Sequence, residues 1–276
     1  MSAPVETLDG RRVRDLLAGE RFVSHLVLLD QTASTNDEAL RLAAQGAREG
    51  TVVIADAQSA GRGRLGRPWH SAAGAGLYLS VLLRPATPIE EWTRWTVASA
   101  LAICEACRAV TGCDVVIEWP NDLLIAGRKV AGILCEARSG PAPAHALVVG
   151  VGINVNHLAA DFPPELRERA SSLRMACGGR PVDRECLAAR ALRELDQVST
   201  ALARGEWSRV RDSWTLRAPG ARNRRVRVLQ DRTAGPGAGF EGRTRGLDAA
   251  GALLVERESG DLVAVHAAGS VDFLEA

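Results

Sequence analysis

The sequence has almost no net charge, because 34 Lys and Arg residues stand against 33 Asp and Glu residues and leave +1 at pH 7. A whole-surface field that would collect nucleic acid or an anionic membrane is therefore excluded, and any basic site must be local. No apolar run approaches the ~20 residues that a membrane span needs. The N-terminus also lacks the apolar core of a signal peptide. We expect a cytoplasmic protein without membrane contact.

Cysteines are also few, at six in 276 residues. That number is too small for a disulfide scaffold, and most of them lie among apolar residues, where a reduced thiol packs as a small hydrophobe. Cys104 and Cys107 form a C-x-x-C pair, but it falls inside a predicted helix with no second C-x-x-C or C-x-x-H. This context disfavours a zinc or redox site.

What the sequence does have is a 46% apolar composition, enough for one large domain with a buried core and a small second domain. Six short apolar runs bounded by Gly, Pro or Asp predict the strands of one buried sheet. These runs are residues 26–29, 51–55, 77–83, 114–119, 131–137 and 146–155.

Helices are predicted between and after these strands. Residues 90–110 place apolar side chains on one face at 3.6-residue spacing, which is typical of a helix that covers a sheet. Another helix is predicted from Asp183 as N-cap to Gly205, followed by a short one that carries Trp207, Val210 and Trp214. Near the N-terminus, Thr35 and Glu38 have the spacing of a capping box.

The pattern of the sequence changes after Pro219-Gly220. Residues 223–230, 240–248, 252–259 and 262–271 alternate like strands, and Gly- and Pro-rich loops separate them. We predict a catalytic domain over residues 1–220 and a small all-β barrel over 221–276, with residues 235–239 at the tip of a hairpin.

The stretch "GRGRLGRPW" (61–69) contains a literal G-x-G-x-x-G. It is not a Rossmann fingerprint, because its third glycine opens no helix and no acidic residue follows about twenty positions on. Three guanidinium groups on a flexible backbone suit a phosphate or carboxylate ligand. Considered without the rest of the sequence, the loop is explained equally well as a solvated basic loop or an RNA-binding tract.

Other polar residues follow strand ends. Asn121 and Asp122 come after Pro120, and a hairpin returns through Lys129 to the strand at 131, where Gly132 would let a ligand lie against the backbone. Asn154 and Asn156 end a later strand. Taken singly, each of these residues is better explained as a turn former or a solvated charge.

Taken together, these segments resemble the biotin protein ligases. The chain carries that family's motifs in order and at the expected spacing, mainly within residues 30–157. They are "STN" (34–36), Gln58 before "AGRGRLGRPW", "GAGLYLSVLLRP" (74–85), "WPNDLL" (119–124), "RKVAGIL" (128–134) and "GVGINVN" (150–156).

The resemblance implies an α+β fold. It would comprise a catalytic domain like that of class II aminoacyl-tRNA synthetases, with a mixed sheet and flanking helices, and a C-terminal SH3-like barrel. It implies ATP and Mg²⁺ with biotin as substrate, and no tightly bound prosthetic group. The implied partner is the biotin carrier domain of acetyl-CoA carboxylase or a related carboxylase. The arginine loop would act as a lid over the adenylate.

Site residues are carried over by position. Lys129 and Arg64 are the implied catalytic residues, and Asp122 would hold Mg²⁺ or orient the phosphate network. The implied biotin site is Ser34, Thr35, Asn36, Gln58, Arg62, Gly63, Arg64, Lys129 and Gly132. The implied nucleotide site is Arg64, Arg67, Trp69, Asn121 and Asn154.

Two residues depart from the usual pattern of the family that the chain resembles. Glu118 stands where the family has a lysine before W-P-N-D, and Ser270 replaces the glutamate of a terminal G-E-V. About thirty residues precede the first strand, too few for a winged helix-turn-helix, so we expect the form that does not bind DNA. Lipoate or octanoate ligation is the nearest rival, disfavoured by GRGRLGR. RNA binding is disfavoured by the balanced charge and by only six Trp, four Phe and one Tyr.

Overall fold

The structure is a computed structural model that describes residues 7–21, 25–87, 91–138, 146–229, 239–266 and 270–274. Its helices are α1 Gly10–Leu16, α2 Thr35–Ala44, α3 Thr93–Thr111, α4 Leu173–Ala176, α5 Arg184–Ala203 and α6 Trp207–Arg217. Its strands are β1 Leu26–Thr32, β2 Val52–Gln58, β3 Gly76–Leu83, β4 Val116–Glu118, β5 Asp122–Ile125, β6 Arg128–Arg138, β7 Ala146–Asn154, β8 Arg222–Leu229, β9 Phe240–Leu247, β10 Leu253–Arg257, β11 Leu262–Val265 and β12 Ser270–Phe273. None of the described helices is both long and apolar enough to cross a bilayer.

The first sheet is mixed, as predicted, and has the order β1-β2-β3-β7-β6-β5-β4. β1 and β2 run parallel with α2 as their crossover, and every other neighbouring pair is antiparallel. Successive side chains of a strand point to opposite faces. Accordingly, Val52 and Ile54 join the main core, whereas Val53 packs in a second cluster with Ala39 of α2. The sheet is therefore covered on both faces.

Helices α3 and α5 pack against each other over the face of the main core, and α6 packs on α3. Asp183 caps α5 as predicted, its carboxylate accepting a hydrogen bond from the Cys186 amide at 2.9 Å. The first residue of α5 also forms a buried ion pair with the sheet, since Arg184 Nη1 lies 2.6 Å from Asp56 Oδ1 and both side chains are 6% exposed. Removing one partner of such a pair leaves an uncompensated buried charge.

The second sheet is antiparallel and has the order β11-β10-β9-β8-β12. Three of its strands lie where the alternation predicted them. The single strand predicted over 262–271 is wrong, because β11 pairs with β10 at one edge and β12 pairs with β8 at the other. Residues 262–271 form a nearly continuous run of apolar and small residues, so the pattern does not indicate where one strand ends and the next begins. Of the hairpin tip predicted over 235–239, residues 235–238 lie outside the described residues.

Two local predictions are corrected by the structure. Ser34, not Thr35, caps α2: its hydroxyl accepts a hydrogen bond from the Asp37 amide at 3.4 Å, while Glu38 pairs with Arg41. One cysteine pair, Cys113 and Cys177, forms a disulfide that the composition did not predict. These two residues are 64 positions apart, so their proximity depends on the tertiary fold. The C-x-x-C cysteines lie buried inside α3, as expected.

Candidate functional site

A cleft of about 770 Å³ opens beside the first sheet, between the arginine loop and the turns of β4 to β6, and β12 of the second sheet reaches its rim. Its volume is in the range of small-molecule sites. The structure brings together here every residue proposed for the site. They are Ser34, Thr35, Asn36, Gln58, Arg62, Gly63, Arg64, Arg67, Trp69, Asn121, Asp122, Lys129, Gly132 and Asn154.

One end of the cleft is a hydrogen-bonded network at the start of α2. The Thr35 amide and hydroxyl both donate to Gln58 Oε1, at 2.8 and 3.1 Å, and Gln58 Nε2 donates to Ser71 Oγ. Buried Ser80 lies beneath, with its hydroxyl 2.8 Å from Thr35 Oγ1 and 2.6 Å from Asn36 Oδ1. Because Ser34 caps the helix, the Thr35 hydroxyl is available for this network. The result is a rigid, neutral polar surface.

Asn36 crosses from α2 to the sheet, where its Nδ2 donates to Glu136 Oε2 at 2.6 Å and to the Leu134 carbonyl at 3.2 Å. This approach requires glycine at position 150, because a Cβ there would lie 2.1 Å from Asn36 Oδ1. The glycine of the GVGINVN stretch thus leaves room for the amide.

The arginine loop is a closed turn. The Gly63 amide donates to the Arg67 carbonyl and the Trp69 amide to the Gly61 carbonyl, both at 2.8 Å. Leu65 and Gly66 have left-handed φ values of 59° and 70°, which glycine adopts without strain and leucine does not. A strained residue at the tip of a cleft loop is the kind of feature that functional sites retain.

The three loop arginines have different surroundings. Arg62 holds Asp37 through two hydrogen bonds of 2.8 and 2.5 Å, and this contact lowers the pKa of the Asp37 carboxyl below its ordinary value. Arg64 Nη1 donates to Asn121 Oδ1 at 3.2 Å in a half-buried position. Arg67 is exposed. The side chain of Asn121 is fixed in turn by its bond to the Ile133 carbonyl at 2.8 Å.

Lys129 lies at the other end of the cleft, at the start of β6. Its Nζ is 2.6 Å from Asp122 Oδ1 and 5.4 Å from the ring centre of Trp69. The two-residue turn before it, Ala126-Gly127, has left-handed φ values of 48° and 75°, as a tight hairpin requires. The predicted hairpin is confirmed, and it aims an ammonium group into the cleft.

Trp69 lies on a floor of two glycines that face each other across β6 and β7, Gly132 and Gly152. A Cβ at Gly132 would be 3.2 Å from the indole, and one at Gly152 would be 2.6 Å from it. Asn154, two residues further along β7, donates to the Ser171 carbonyl at 3.1 Å and fixes the neighbouring wall.

We expect Gly152→Ala to destabilise the protein by about 1–3 kcal/mol, because the new methyl group overlaps the indole. In a Trp69→Ala background the same change should be nearly neutral. Urea unfolding of the two single variants and the double variant measures this coupling as a double-mutant cycle. Additive effects of the two changes would show that the indole does not lie on Gly152 in solution.

One wall of the cleft was not predicted from the sequence. Phe162, Leu166, Arg169 and Ala170 line it, together with His70 from the loop. The segment has no helical or strand periodicity, and it is held by two short 3₁₀ turns at Ala159–Asp161 and Pro164–Leu166. Asn156 does not line the cleft and exchanges two hydrogen bonds with the Val182 backbone.

Behind the wall, His157 is fully buried and stacks on Phe162 with ring centres 5.1 Å apart. Neither of its ring nitrogens has a hydrogen-bond partner among the described residues. Burial and nearby His70 lower the pKa of His157 from 6.5 to about 4. The folded protein therefore keeps this imidazole neutral.

Stability should fall with acid between pH 6.5 and 4, because the unfolded chain takes up a proton there that folded His157 refuses. The contribution is complete above pH 6.5 and lost below about pH 4, and it amounts to about 3 kcal/mol. Urea unfolding at steps of pH should show this slope in the parent and a flatter one in His157→Phe. Equal slopes in both proteins would assign the loss to other groups.

Comparison with known proteins agrees with this geometry. The profile of the biotin/lipoate A/B protein ligase family matches residues 28–154. The bifunctional ligase/repressor BirA of Bacillus spizizenii is 35% identical over 254 residues, which are 92% of this chain and 76% of that protein. The chain belongs to the biotin protein ligase family. The biotin--[acetyl-CoA-carboxylase] ligase of Mycobacterium tuberculosis is 38% identical over 195 residues, 68% of this chain and 70% of that relative.

Similar solved structures belong to the same family. The biotin protein ligase of Aquifex aeolicus in complex with biotin and ATP matches with a TM-score of 0.75 and 27% identity, over 91% of this chain and 99% of that one. Because it covers 91% of the chain, this match extends beyond the residues of the profile.

Against this family background, Glu118 is the main departure at the cleft. It lines the cleft and faces Asp122 directly across β4 and β5. Burial and the neighbouring Asp122 carboxylate raise the pKa of Glu118 above its ordinary value. Of the other departure, the side chain of Ser270 lies outside the described residues, while Val271 and Asp272 next to it reach the cleft.

Proposed function

We propose that the chain activates biotin with ATP to biotinyl-5′-AMP and transfers the biotinyl group to a lysine of a carrier domain. Membership in the family makes it an ATP-dependent biotin ligase. The carrier would be that of acetyl-CoA carboxylase or a related carboxylase, as the names of its relatives suggest. The observation that carries the proposal is the single cleft that joins a neutral polar end to a cationic end.

Biotin would bind at the polar end. Its ureido ring has both N–H donors and a carbonyl acceptor, and the surface made by Ser34, Thr35, Asn36 and Gln58 offers hydroxyl and amide groups of both kinds. Arg62 and Gly63 of the loop would cover the ring from above, and Gly132 would let its tail pass close to the sheet. The carboxylate of the tail would then reach Lys129 and Arg64.

In the first reaction, a carboxylate oxygen of biotin attacks the α-phosphorus of ATP. A new P–O bond forms, the bond to the β-phosphate oxygen breaks, and pyrophosphate leaves with its electron pair. The barrier comes from repulsion between anions and from charge that gathers on the phosphate oxygens. Lys129 and Arg64 stabilise that charge as positioned cations.

In the second reaction, the amine of the acceptor lysine attacks the carbonyl carbon of the mixed anhydride, and AMP leaves. Between the two reactions the anhydride must be kept from water. We assign this role to the arginine loop, whose glycines give it the freedom to close as a lid. Arg67, Trp69, Asn121 and Asn154 would hold the nucleotide.

Magnesium fits the residues at the cationic end. No group of three His, Cys, Asp or Glu side chains that could hold a metal exists within the described ranges. ATP-bound Mg²⁺, however, needs only one or two carboxylates because the phosphates supply further ligands. Asp122 would hold the ion, with Glu118 opposite. When bound, it would neutralise part of the phosphate charge.

We further propose that the first sheet and its helices form a domain like that of class II aminoacyl-tRNA synthetases over residues 1–220. The second sheet, residues 221–276, would be an SH3-like barrel. Support comes from the two separate sheets and from the break at Pro219. A cytoplasmic location is proposed as well, as befits an enzyme that uses ATP.

Mass spectrometry of the purified protein after incubation with biotin and Mg-ATP tests the proposal. We expect a retained biotinyl-adenylate, which adds its mass under non-denaturing conditions, and release of one pyrophosphate for each adenylate. Lipoate in place of biotin should give neither product. Adenylate formed from lipoate but not from biotin would assign the chain to the other branch of the family.

A further inference from the structure

The wall formed by residues 158–172 is attached directly to Lys129. The Lys129 amide donates to the Arg169 carbonyl at 2.8 Å, and the Ser171 amide donates to the Lys129 carbonyl at 2.9 Å. Ala170, between them, pairs with Lys129 as an isolated parallel bridge. These bonds place the backbone of Arg169 beside the cation of the cleft.

Arg169 is exposed and lines the cleft. No acidic group lies within ion-pair distance of its guanidinium in the part of the chain that the structure describes. By contrast, Arg128, next to Lys129 in sequence, is exposed but does not line the cleft. Arg169 is therefore a cation that lines the cleft and has no counter-charge among the described residues.

Of the other basic groups of the cleft, three are engaged, and Arg67 of the loop is exposed. Arg62 is held by Asp37, Lys129 by Asp122, and Arg64 by Asn121. Carboxylates at Glu118, Asp122 and Asp272 line the same cleft, and a substrate with three phosphates would meet their repulsion. Arg169 lines the cleft from the wall, in a different segment of the chain from the loop that carries Arg67, and its positive charge would offset part of this repulsion.

We propose that Arg169 is a further substrate-binding residue, which contacts the terminal phosphates of ATP and then the pyrophosphate product. The inference rests on the proposed function. The α-phosphate must meet biotin between Lys129 and the half-buried Arg64, so the rest of the triphosphate extends toward the exposed side, where Arg169 lies. A guanidinium group can bind two phosphate oxygens at once.

The test is calorimetric titration of the intact protein with biotinol, ATP, AMP and pyrophosphate, each in a separate experiment. Biotinol replaces biotin because it lacks the carboxylate and therefore cannot react with ATP. In Arg169→Ala we expect the Kd of ATP and of pyrophosphate to rise about tenfold or more, while the Kd of AMP and of biotinol changes less than twofold. Arg169→Lys should recover part of the loss. Arg128→Ala removes the same charge one residue from Lys129 and should match the parent for every ligand.

Two results would overturn the proposal. One is an Arg169→Ala variant that binds ATP with the same Kd as Arg128→Ala. A variant that binds ATP normally and only modifies the carrier protein more slowly belongs to this case. The other is equal weakening of AMP and ATP, which would place the contact at the nucleoside or α-phosphate. If the parent itself forms no biotinyl-adenylate, the proposed function fails, and that outcome is visible before any variant is made.

Discussion

Lys129→Ala is expected to lower the rate of biotinyl-adenylate formation by about 10²- to 10³-fold, the usual effect of removing one positioned charge-stabilising group. The ammonium group lies in the cleft, 2.6 Å from Asp122 Oδ1 and 5.4 Å from the ring centre of Trp69. Without it, the Asp122 carboxylate would face the phosphates uncompensated. The fold should persist, because the Lys129 side chain is one-third exposed and its backbone bonds to the wall remain.

Pyrophosphate release in a single turnover measures this effect. Transfer from adenylate that is supplied ready-made should suffer much less, because the charge on phosphate no longer increases in that step. The matched control is again Arg128→Ala, which removes an exposed arginine next to Lys129 that does not line the cleft. Near-normal pyrophosphate release by Lys129→Ala would remove Lys129 from the catalytic group.

Six of the seven strands of the first sheet could be predicted because each contains a short apolar run with a marked boundary, whereas the four-residue β5 was not predicted. Residues 77–83 and 146–155 are observed within one residue of these limits. β4 is shorter than the predicted 114–119, since its apolar run continues into the turn before the strand. α1 and α4 were not predicted, because seven and four residues are too few to show a helical period. The break between β11 and β12 leaves no mark in the apolar pattern.

The candidate site could be predicted where its residues lie in recognisable motifs, such as the arginine loop and the hairpin of Lys129. What the sequence could not indicate is how these side chains are paired before a ligand binds. Asp37, which holds Arg62, reads as an ordinary first-turn acid of a helix. Arg169 lies in the string "LRERA", where alternating charges are typical of a solvated surface. Only the two backbone bonds to Lys129 reveal its position.

Arg64→Gly should convert a retained intermediate into a released one. Arg64 reaches from the loop to Asn121 in the turn between β4 and β5, so it both closes the cleft and would present its guanidinium to the adenylate. Removing it takes away the contact that holds the loop down and one cation for the remaining phosphate. Lys129 stays in place to stabilise charge during activation. We therefore expect the dissociation rate of biotinyl-adenylate to rise about tenfold or more, with a smaller loss in the rate of its formation.

Released biotinyl-adenylate acylates any exposed amine, which makes the leak measurable. With biotin, ATP and albumin present, Arg64→Gly should produce biotinylated albumin, while the parent should produce little. Arg67→Gly is the comparison variant: it removes an exposed arginine that we also assign to the nucleotide, but it breaks no contact with Asn121, so it should leak less than Arg64→Gly. If the loop were only a solvated basic turn, both variants would retain the adenylate like the parent. An unchanged dissociation rate in Arg64→Gly would contradict the lid, even if biotin ligation itself were confirmed.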